Sequence, residues 1–269
     1  MISNILSIAG SDPSGGAGIQ ADLKAISANG GYGMAAITAL TAQNTQGVRD
    51  VALVEPGMVA AQIAAIREDI RVDAVKIGML GSAAIVAAVA DALADLDAPV
   101  VLDPVMVAKG GDRLLPSDAV DALRDVLVPM ASIITPNLPE GADLLGAAPA
   151  TTRDDMERAA RDVLALGPTA VLLKGGHLPG DRSPDLLVDA TGGRWSDSER
   201  VETRNTHGTG CTLSSALATW IGRGSDLGAA LQQAKSYTTA AIAGSGRLSV
   251  GSGHGPVHHF HAFERQHHF

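Results

Sequence analysis

The chain has 269 residues, 46% apolar and only 3% aromatic, with a formal net charge of −9. That length buries a substantial aliphatic core, and the acidic balance argues against an extended nucleic-acid surface, which needs Lys and Arg against phosphate. Cys211 is the only cysteine, which excludes an intrachain disulfide and a Cys-rich zinc site; the start lacks a secretion signal and no long apolar run occurs, so no membrane partner and a cytoplasmic location are expected.

Short apolar runs alternate with helical periodicity, the pattern of repeated βα units. Residues 4–9 read as a first strand, and Ile19, Leu23 and Ile26 mark the helix face that follows. A second strand is expected over 34–40. Val59, Ile63, Ile66 and Ile70 then form a helical stripe after Pro56, and 74–79 reads as a strand. Ile85, Val89, Leu93 and Leu96 give another stripe leading into a strand over 99–105. Val120, Leu123 and Leu127 precede a strand over 132–135, and a helix over 152–166 precedes one over 169–174. The alternation breaks at 185–203, where Thr191-Gly192-Gly193 sits between extended runs like a hairpin turn. Ala-rich helices over 210–221 and 226–243 complete the body. One doubly wound α/β domain is the economical reading, with ligands expected beyond the carboxyl ends of the strands.

Two glycine-rich turns compete as phosphate sites. Gly16-Ala17-Gly18-Ile19-Gln20-Ala21 fits the dinucleotide fingerprint after a strand and before a helix. Against it, Ser11 to Gly15 intervene, and the second strand ends in Thr41-Ala42-Gln43, with no carboxylate for a ribose hydroxyl. A P-loop is weaker still, since Gly-Lys-Ser/Thr does not occur. The second turn, Asn205-Thr206-His207-Gly208-Thr209-Gly210-Cys211-Thr212, opens the helix with face Leu213, Leu217 and Trp220. Its glycines free backbone N–H groups to converge, and the helix N-terminus adds positive potential, so an anion is the natural occupant. Either turn also reads simply as a strand-to-helix connection.

Asp103 follows one expected strand, Asn137 and Glu140 follow the next, and Lys174 ends another. If the strands are parallel, all four share one sheet edge, where they would hold Mg²⁺ and triphosphate charge. Singly, each also reads as a helix cap, a first-turn acid or a surface cation. Asp22 and Gln43 together match the donors and acceptors of a small aminated heterocycle. Six of the eight histidines lie in 254–268; their irregular spacing points to a loosely packed tail more than to a metal site.

The run from Ile8 through Gly10, Asp12, Gly15, Gly16, Gly18 and Asp22 to Lys24, together with Asn205 to Thr212, resembles the hydroxymethylpyrimidine/phosphomethylpyrimidine kinase family. So do Ala42 to Val48, Lys76-Ile77-Gly78-Met79-Leu80, Asp103-Pro104-Val105-Met106, Thr135-Pro136-Asn137, Lys174-Gly175-Gly176-His177 and Gly253-His254-Gly255-Pro256-Val257. The resemblance implies a ribokinase-like α/β fold: a mainly parallel central sheet, helices on both faces and a reduced lid. Residues 1–261 would form the kinase domain and 262–269 a tail. It implies ATP, Mg²⁺ and two successive phosphorylations of the pyrimidine, with a homodimer as the expected assembly. By position, Gly10, Asp22, Gln43, Met79 and Val105 would contact the pyrimidine. Asp103, Asn137 and Lys174 would serve the nucleotide and Glu140 the metal. Gly208, Thr209 and Gly210 would form the anion hole and Cys211 the base, its thiol expected to be acidified by the helix N-terminus. Sugar kinases of this fold carry Asp at the Cys211 position. Lys109 to Asp112 are expected to form a flap. A pyridoxine or pyridoxal kinase is the alternative enzyme, and a non-catalytic sensor the alternative class; intact Lys174, Glu140 and Cys211 argue against the latter.

Overall fold

A computed structural model describes residues 1–107, 111 and 114–263 of the chain; the flap expectation at Lys109 to Asp112 falls, apart from Gly111, outside them, as do residues 264–269 of the tail. The elements in order are β1 (Asn4–Ser11), α1 (Gly18–Ala28), β2 (Tyr32–Asn44), β3 (Gly47–Leu53), α2 (Pro56–Asp69), β4 (Ala74–Ile77), α3 (Ala83–Leu93) and β5 (Val100–Leu102). Then follow α4 (Ser117–Ala122, continued by a π-helical segment Leu123–Leu127), β6 (Ile133–Ile134), α5 (Leu138–Leu145), α6 (Arg153–Leu164) and β7 (Ala170–Lys174). The hairpin β8 (Arg182–Asp189) and β9 (Gly192–Glu199) precedes α7 (Thr209–Gly222) and α8 (Leu227–Ala243).

All strands join one nine-stranded sheet in the order β3-β2-β1-β4-β5-β6-β7-β8-β9. Pairing is parallel from β2 through β7 and antiparallel at both margins. Strand residues alternate between two cores, as the period of two requires. Leu6, Ile8, Val75, Ile77, Leu102, Ile134, Val171 and Leu173 face the core completed by Val59, Ile63, Ile85, Val89, Met156 and Val163. Ile5, Ala74, Val101, Ile133, Ala170 and Leu172 face the other, beneath Ile26, Leu213, Leu217, Leu231 and Ala234. Full burial of each large aliphatic contributes about 1.5–3 kcal/mol, so both sheet faces need a helical cover. The fold is thus α/β with a mainly parallel sheet and helices on both faces.

The structure corrects the expected elements in several places. β2 runs well past residue 40 and pairs antiparallel with β3, which the sequence reading did not mark, and this ribbon is the reduced lid. No residue of β3 is buried and Arg49 to Leu53 are exposed, so it carries no burial pattern to read. Helix α5 was also unmarked. It is short, and an Asn137/Glu140 capping box with Pro139 in the first turn starts it rather than a long apolar stripe. Residues 251–261 are not a loose tail: Val257, His258 and His259 are buried. Tyr237 donates its hydroxyl to the His259 carbonyl at 2.9 Å, and the His258 N–H reaches the Ala241 carbonyl at 2.9 Å. Among the described residues no helix is long and apolar enough to cross a membrane.

Candidate active site

Strands β5, β6 and β7 end side by side, so their next residues meet at one sheet edge. Lys174 Nζ lies 2.9 Å from Asp103 Oδ1 and 3.9 Å from Glu140 Oε2. Asp103, buried to 1% exposure, also accepts from Thr135 Oγ1 at 3.1 Å and Ser214 Oγ at 3.3 Å. Asn137 caps α5, its Oδ1 accepting the Glu140 N–H at 2.9 Å, and Glu140 returns the bond to the Asn137 N–H at 2.8 Å. The four residues expected to share an edge are therefore in mutual reach, and Lys174 is an interior cation rather than a surface one.

Charge in this cluster is set by burial and by mutual attraction. Burial opposes the charged form of Asp103, but Lys174, Lys76 and the hydrogen bonds outweigh it and hold the carboxyl below its usual range. Glu140 behaves oppositely: burial first, and Asp103 beside it, push it up to about 7 despite Lys174. Lys174 itself is raised, since Asp103 and Glu140 outweigh its burial. Two oxygen-donor carboxyl groups beside one lysine suit a hard divalent ion such as Mg²⁺, which would bind Glu140 as its carboxylate. Asp103 and Glu140 would hold it, with phosphate oxygens and water completing its shell.

The glycine turn stands against this cluster. A Cβ on Gly210 would lie 3.4 Å from both Asp103 Oδ2 and Lys174 Nζ. Gly208 adopts φ of 75°, and a Cβ there would lie 1.8 Å from the Gly16 carbonyl oxygen, so only glycine fits. The two glycine-rich turns are thus packed on each other and form one structure rather than two competing sites. Thr209 turns both its hydroxyl (2.8 Å) and its N–H (3.3 Å) back to the Thr206 carbonyl. Thr209 thus spends its own donors locally, and the N–H groups of Gly208, Gly210 and Cys211 at the start of α7 would serve an anion.

Cys211 corrects the expectation of an acidified thiol. Burial dominates and pushes it up to about 11, with Lys76 opposing and Asp22 and Asp103 adding to the rise. Desolvation is the largest effect on this sulfur, and the two nearby carboxylates reinforce it. Asp22 is paired within the fold. It is fully enclosed, its oxygens 2.8–2.9 Å from Lys76 Nζ and within 2.6 Å and 2.8 Å of the Ser7 and Ser215 hydroxyls. All four contacts come from within the chain, so Asp22 holds Lys76 in this structure.

On the lid side, Gly10 packs against Met79, a Cβ on Gly10 falling 3.1 Å from the Met79 sulfur. Thr38 Oγ1 donates to the Met79 carbonyl at 2.6 Å and holds that residue at the end of β4. Gln43 sits at the bulge of β2, beside Thr41 and His207. Val105 lies two residues beyond Asp103, its N–H donating to the Asp103 carbonyl at 2.8 Å. Sequence reasoning did not single out Asp12, Lys76, His207, Ser214 or Ser215 as individual participants. Lys76 carried a signal in hindsight: a lysine within an apolar strand run has to find a buried carboxylate.

A family model described as phosphomethylpyrimidine kinase matches residues 12–258. The chain is 53% identical over 261 residues to the hydroxymethylpyrimidine/phosphomethylpyrimidine kinase of Escherichia coli strain K12, covering 97% of this chain and 98% of that one. It is 48% identical to a thiamine biosynthesis bifunctional protein of Geobacter sulfurreducens, covering 97% of this chain and 53% of that protein. Among solved structures, the ADP complex of Bacillus subtilis pyridoxal kinase superposes with a TM-score of 0.88 at 37% identity, covering 96% of this chain and 98% of that one.

Proposed function

The chain belongs to the hydroxymethylpyrimidine/phosphomethylpyrimidine kinase family, a group of ribokinase-like phosphotransferases, and we propose how the edge site described above carries the reaction. The activity is ATP-dependent phosphorylation of 4-amino-5-hydroxymethyl-2-methylpyrimidine, then of the monophosphate to the diphosphate, in thiamine biosynthesis. The observation that carries the residue assignment is the contact of the glycine turn with the Lys174–Asp103 pair, which sets amide donors and a cation around one point.

Phosphoryl transfer depends on positioning and charge neutralisation, and its loose transition state spreads charge over the equatorial oxygens. In our reading Lys174 and the N–H groups of Gly208, Gly210 and Cys211 take up that charge. Asp103 holds Lys174 in place, and Asn137 presents Glu140 to the metal. When bound, Mg²⁺ supplies further neutralisation of the triphosphate. Gln43, Gly10, Met79 and Val105 orient the ring. Cys211 receives the proton of the attacking hydroxyl; at rest it is a thiol, so its own proton first has to pass to solvent, which the half-buried sulfur still meets, and Lys76 is the cation favouring the thiolate left behind. We further propose that residues 1–261 act as one kinase domain, as a homodimer in the cytoplasm without nucleic-acid partners.

A second reading, phosphorylation of B6 vitamers, is favoured by the close superposition on a pyridoxal kinase. A panel of the pyrimidine, its monophosphate, pyridoxal and pyridoxine with ATP and Mg²⁺, read by product mass, separates the two. The pyrimidine is expected to turn over fastest and to gain two phosphates in succession. Faster turnover of pyridoxal would replace this reading with the second one.

A further inference from the structure

Asp12 and His207, 195 residues apart in sequence, meet with Oδ2 2.7 Å from Nε2, and both are almost wholly buried. Asp12 also accepts the Ser14 N–H on Oδ1 and the Ala17 N–H on Oδ2, each at 2.9 Å, and so shapes the first glycine turn. Burial opposes its charge, but His207 and Ser14 outweigh it and hold the carboxyl below its usual range. A carboxylate offers only acceptors, so His207 Nε2 has to carry a hydrogen.

That hydrogen settles the neighbouring carboxamide. Gln43 Nε2 stands 3.5 Å from the same His207 Nε2, which would set N–H against N–H. On the other side, Thr41 has one hydroxyl hydrogen, and the Ser11 carbonyl receives it at 2.9 Å. Thr41 Oγ1 is then an acceptor, yet it faces Gln43 Oε1 at 3.2 Å. Nε2 gives its one hydrogen to Asp12 at 2.7 Å and so offers Gln43 no acceptor. Exchanging the two ends of the Gln43 amide removes the N–H from that contact, places the oxygen there as at most a weak second acceptor, and lets the NH₂ donate to Thr41 Oγ1.

We infer that His207, held by Asp12, is a positioning residue that decides which way round Gln43 presents its amide to the substrate ring. This rests on the reading of Gln43 as a ring contact. With the oxygen turned toward His207 and one N–H given to Thr41, the other N–H and the oxygen's lone pairs are left for the ring. An aminopyrimidine, with a ring-nitrogen acceptor beside an exocyclic amine, matches that pair in one orientation only. The ring of His207 has no slack: a Cβ on Gly16 would lie 2.3 Å from its Cδ2.

Long-range ¹H–¹⁵N spectra of the ligand-free enzyme, with His207 assigned by comparison with His207→Gln, read the tautomer without any substrate. A pyrrole-type Nε2 is expected, and a pyridine-type Nε2 overturns the proposal. Asp12→Asn removes the charge and one of the two acceptor oxygens, so the hold on the His207 Nε2–H should weaken and the Gln43 orientation with it. KM for the pyrimidine should then rise about tenfold, with KM for ATP unmoved. His207→Ala should show the same rise, and His207→Gln, which keeps an N–H donor, should recover most of it. The two His207 variants carry the comparison if Asp12→Asn does not fold. An unchanged pyrimidine KM in Asp12→Asn and His207→Ala, while Gln43→Ala is impaired, overturns the role of the pair alone. An unimpaired Gln43→Ala instead removes the ring-contact reading, and the positioning role with it.

Discussion

Lys174 Nζ reaches Asp103 Oδ1 at 2.9 Å across the intervening strand β6, so the positive and negative poles of the proposed phosphate site are fixed by sheet order. Lys174→Ala leaves Asp103 buried beside Lys76 alone. Removing one partner of a buried pair typically destabilises by about 3–5 kcal/mol, and the nearby Lys76 should hold the loss toward the lower figure. Catalytic efficiency toward ATP should fall with little change in pyrimidine affinity. Wild-type ATP titrations in a folded variant would show that Lys174 serves structure only.

Glu140 predicts an unusual pH dependence of stability. Its carboxyl is raised from 4.5 to about 7 in the fold, so between those values the native state binds the extra proton. Its contribution is full below the unfolded value and is lost as pH rises through about 7, by about 3 kcal/mol at most. Glu140→Gln stays neutral and keeps the capping acceptor, so the ligand-free variant should gain on wild type from pH 5 to 8. Thermal denaturation across that range checks the sign. The same variant should need more Mg²⁺ for half-maximal activity.

Cys211 is the only thiol, which makes its titration readable. Alkylation by iodoacetamide in the ligand-free enzyme should be slow at pH 7–8 and rise toward a midpoint near 11. Cys211→Ala should lose about 10²–10⁴-fold in kcat with ATP affinity kept, the usual effect of losing a general base. Cys211→Asp should retain more activity than Cys211→Ala. Near-normal turnover of Cys211→Ala with the wild-type pH profile would move the base to Asp103.

Gln43→Ala should leave ring donors or acceptors unpaired, at about 1–3 kcal/mol, which is roughly 5- to 150-fold in efficiency for the pyrimidine. KM for ATP serves as the internal control.

Gly208→Ala tests the packing of the two turns. The new methyl would enter the Gly16 carbonyl at a φ that L-residues avoid, so the turn has to open. Activity should be lost well before the fold, and circular dichroism beside an ATP assay separates the two.

Much of the architecture was legible because its elements have a period. Helix stripes such as Val59–Ile63–Ile66 and the apolar strand runs mark themselves, and strand ends told where Asp103, Asn137 and Lys174 would emerge. β3 and α5 escaped because neither has a periodic buried face: one is an exposed lid strand, the other a capped short helix. The histidine-rich end was misjudged for a related reason. Val257, His258 and His259 are buried by α8 and the start of α7, and no local pattern announces a partner so far along the chain.

By itself the sequence determined the fold class, the family and the sheet edge at which Asp103, Glu140 and Lys174 meet, because periodicity and strand-end position are local properties of the chain. Tertiary structure alone decided the protonation of that edge. Cys211 sits at a helix start that should favour a thiolate, yet burial near Asp22 and Asp103, contributed by α1 and β5, reverses the direction. Asp22 reads as a ligand contact, and the fold sets Lys76, Ser7 and Ser215 around it. Desolvation and through-space charge depend on what the remaining elements bring within a few ångströms, and no spacing along the chain encodes that.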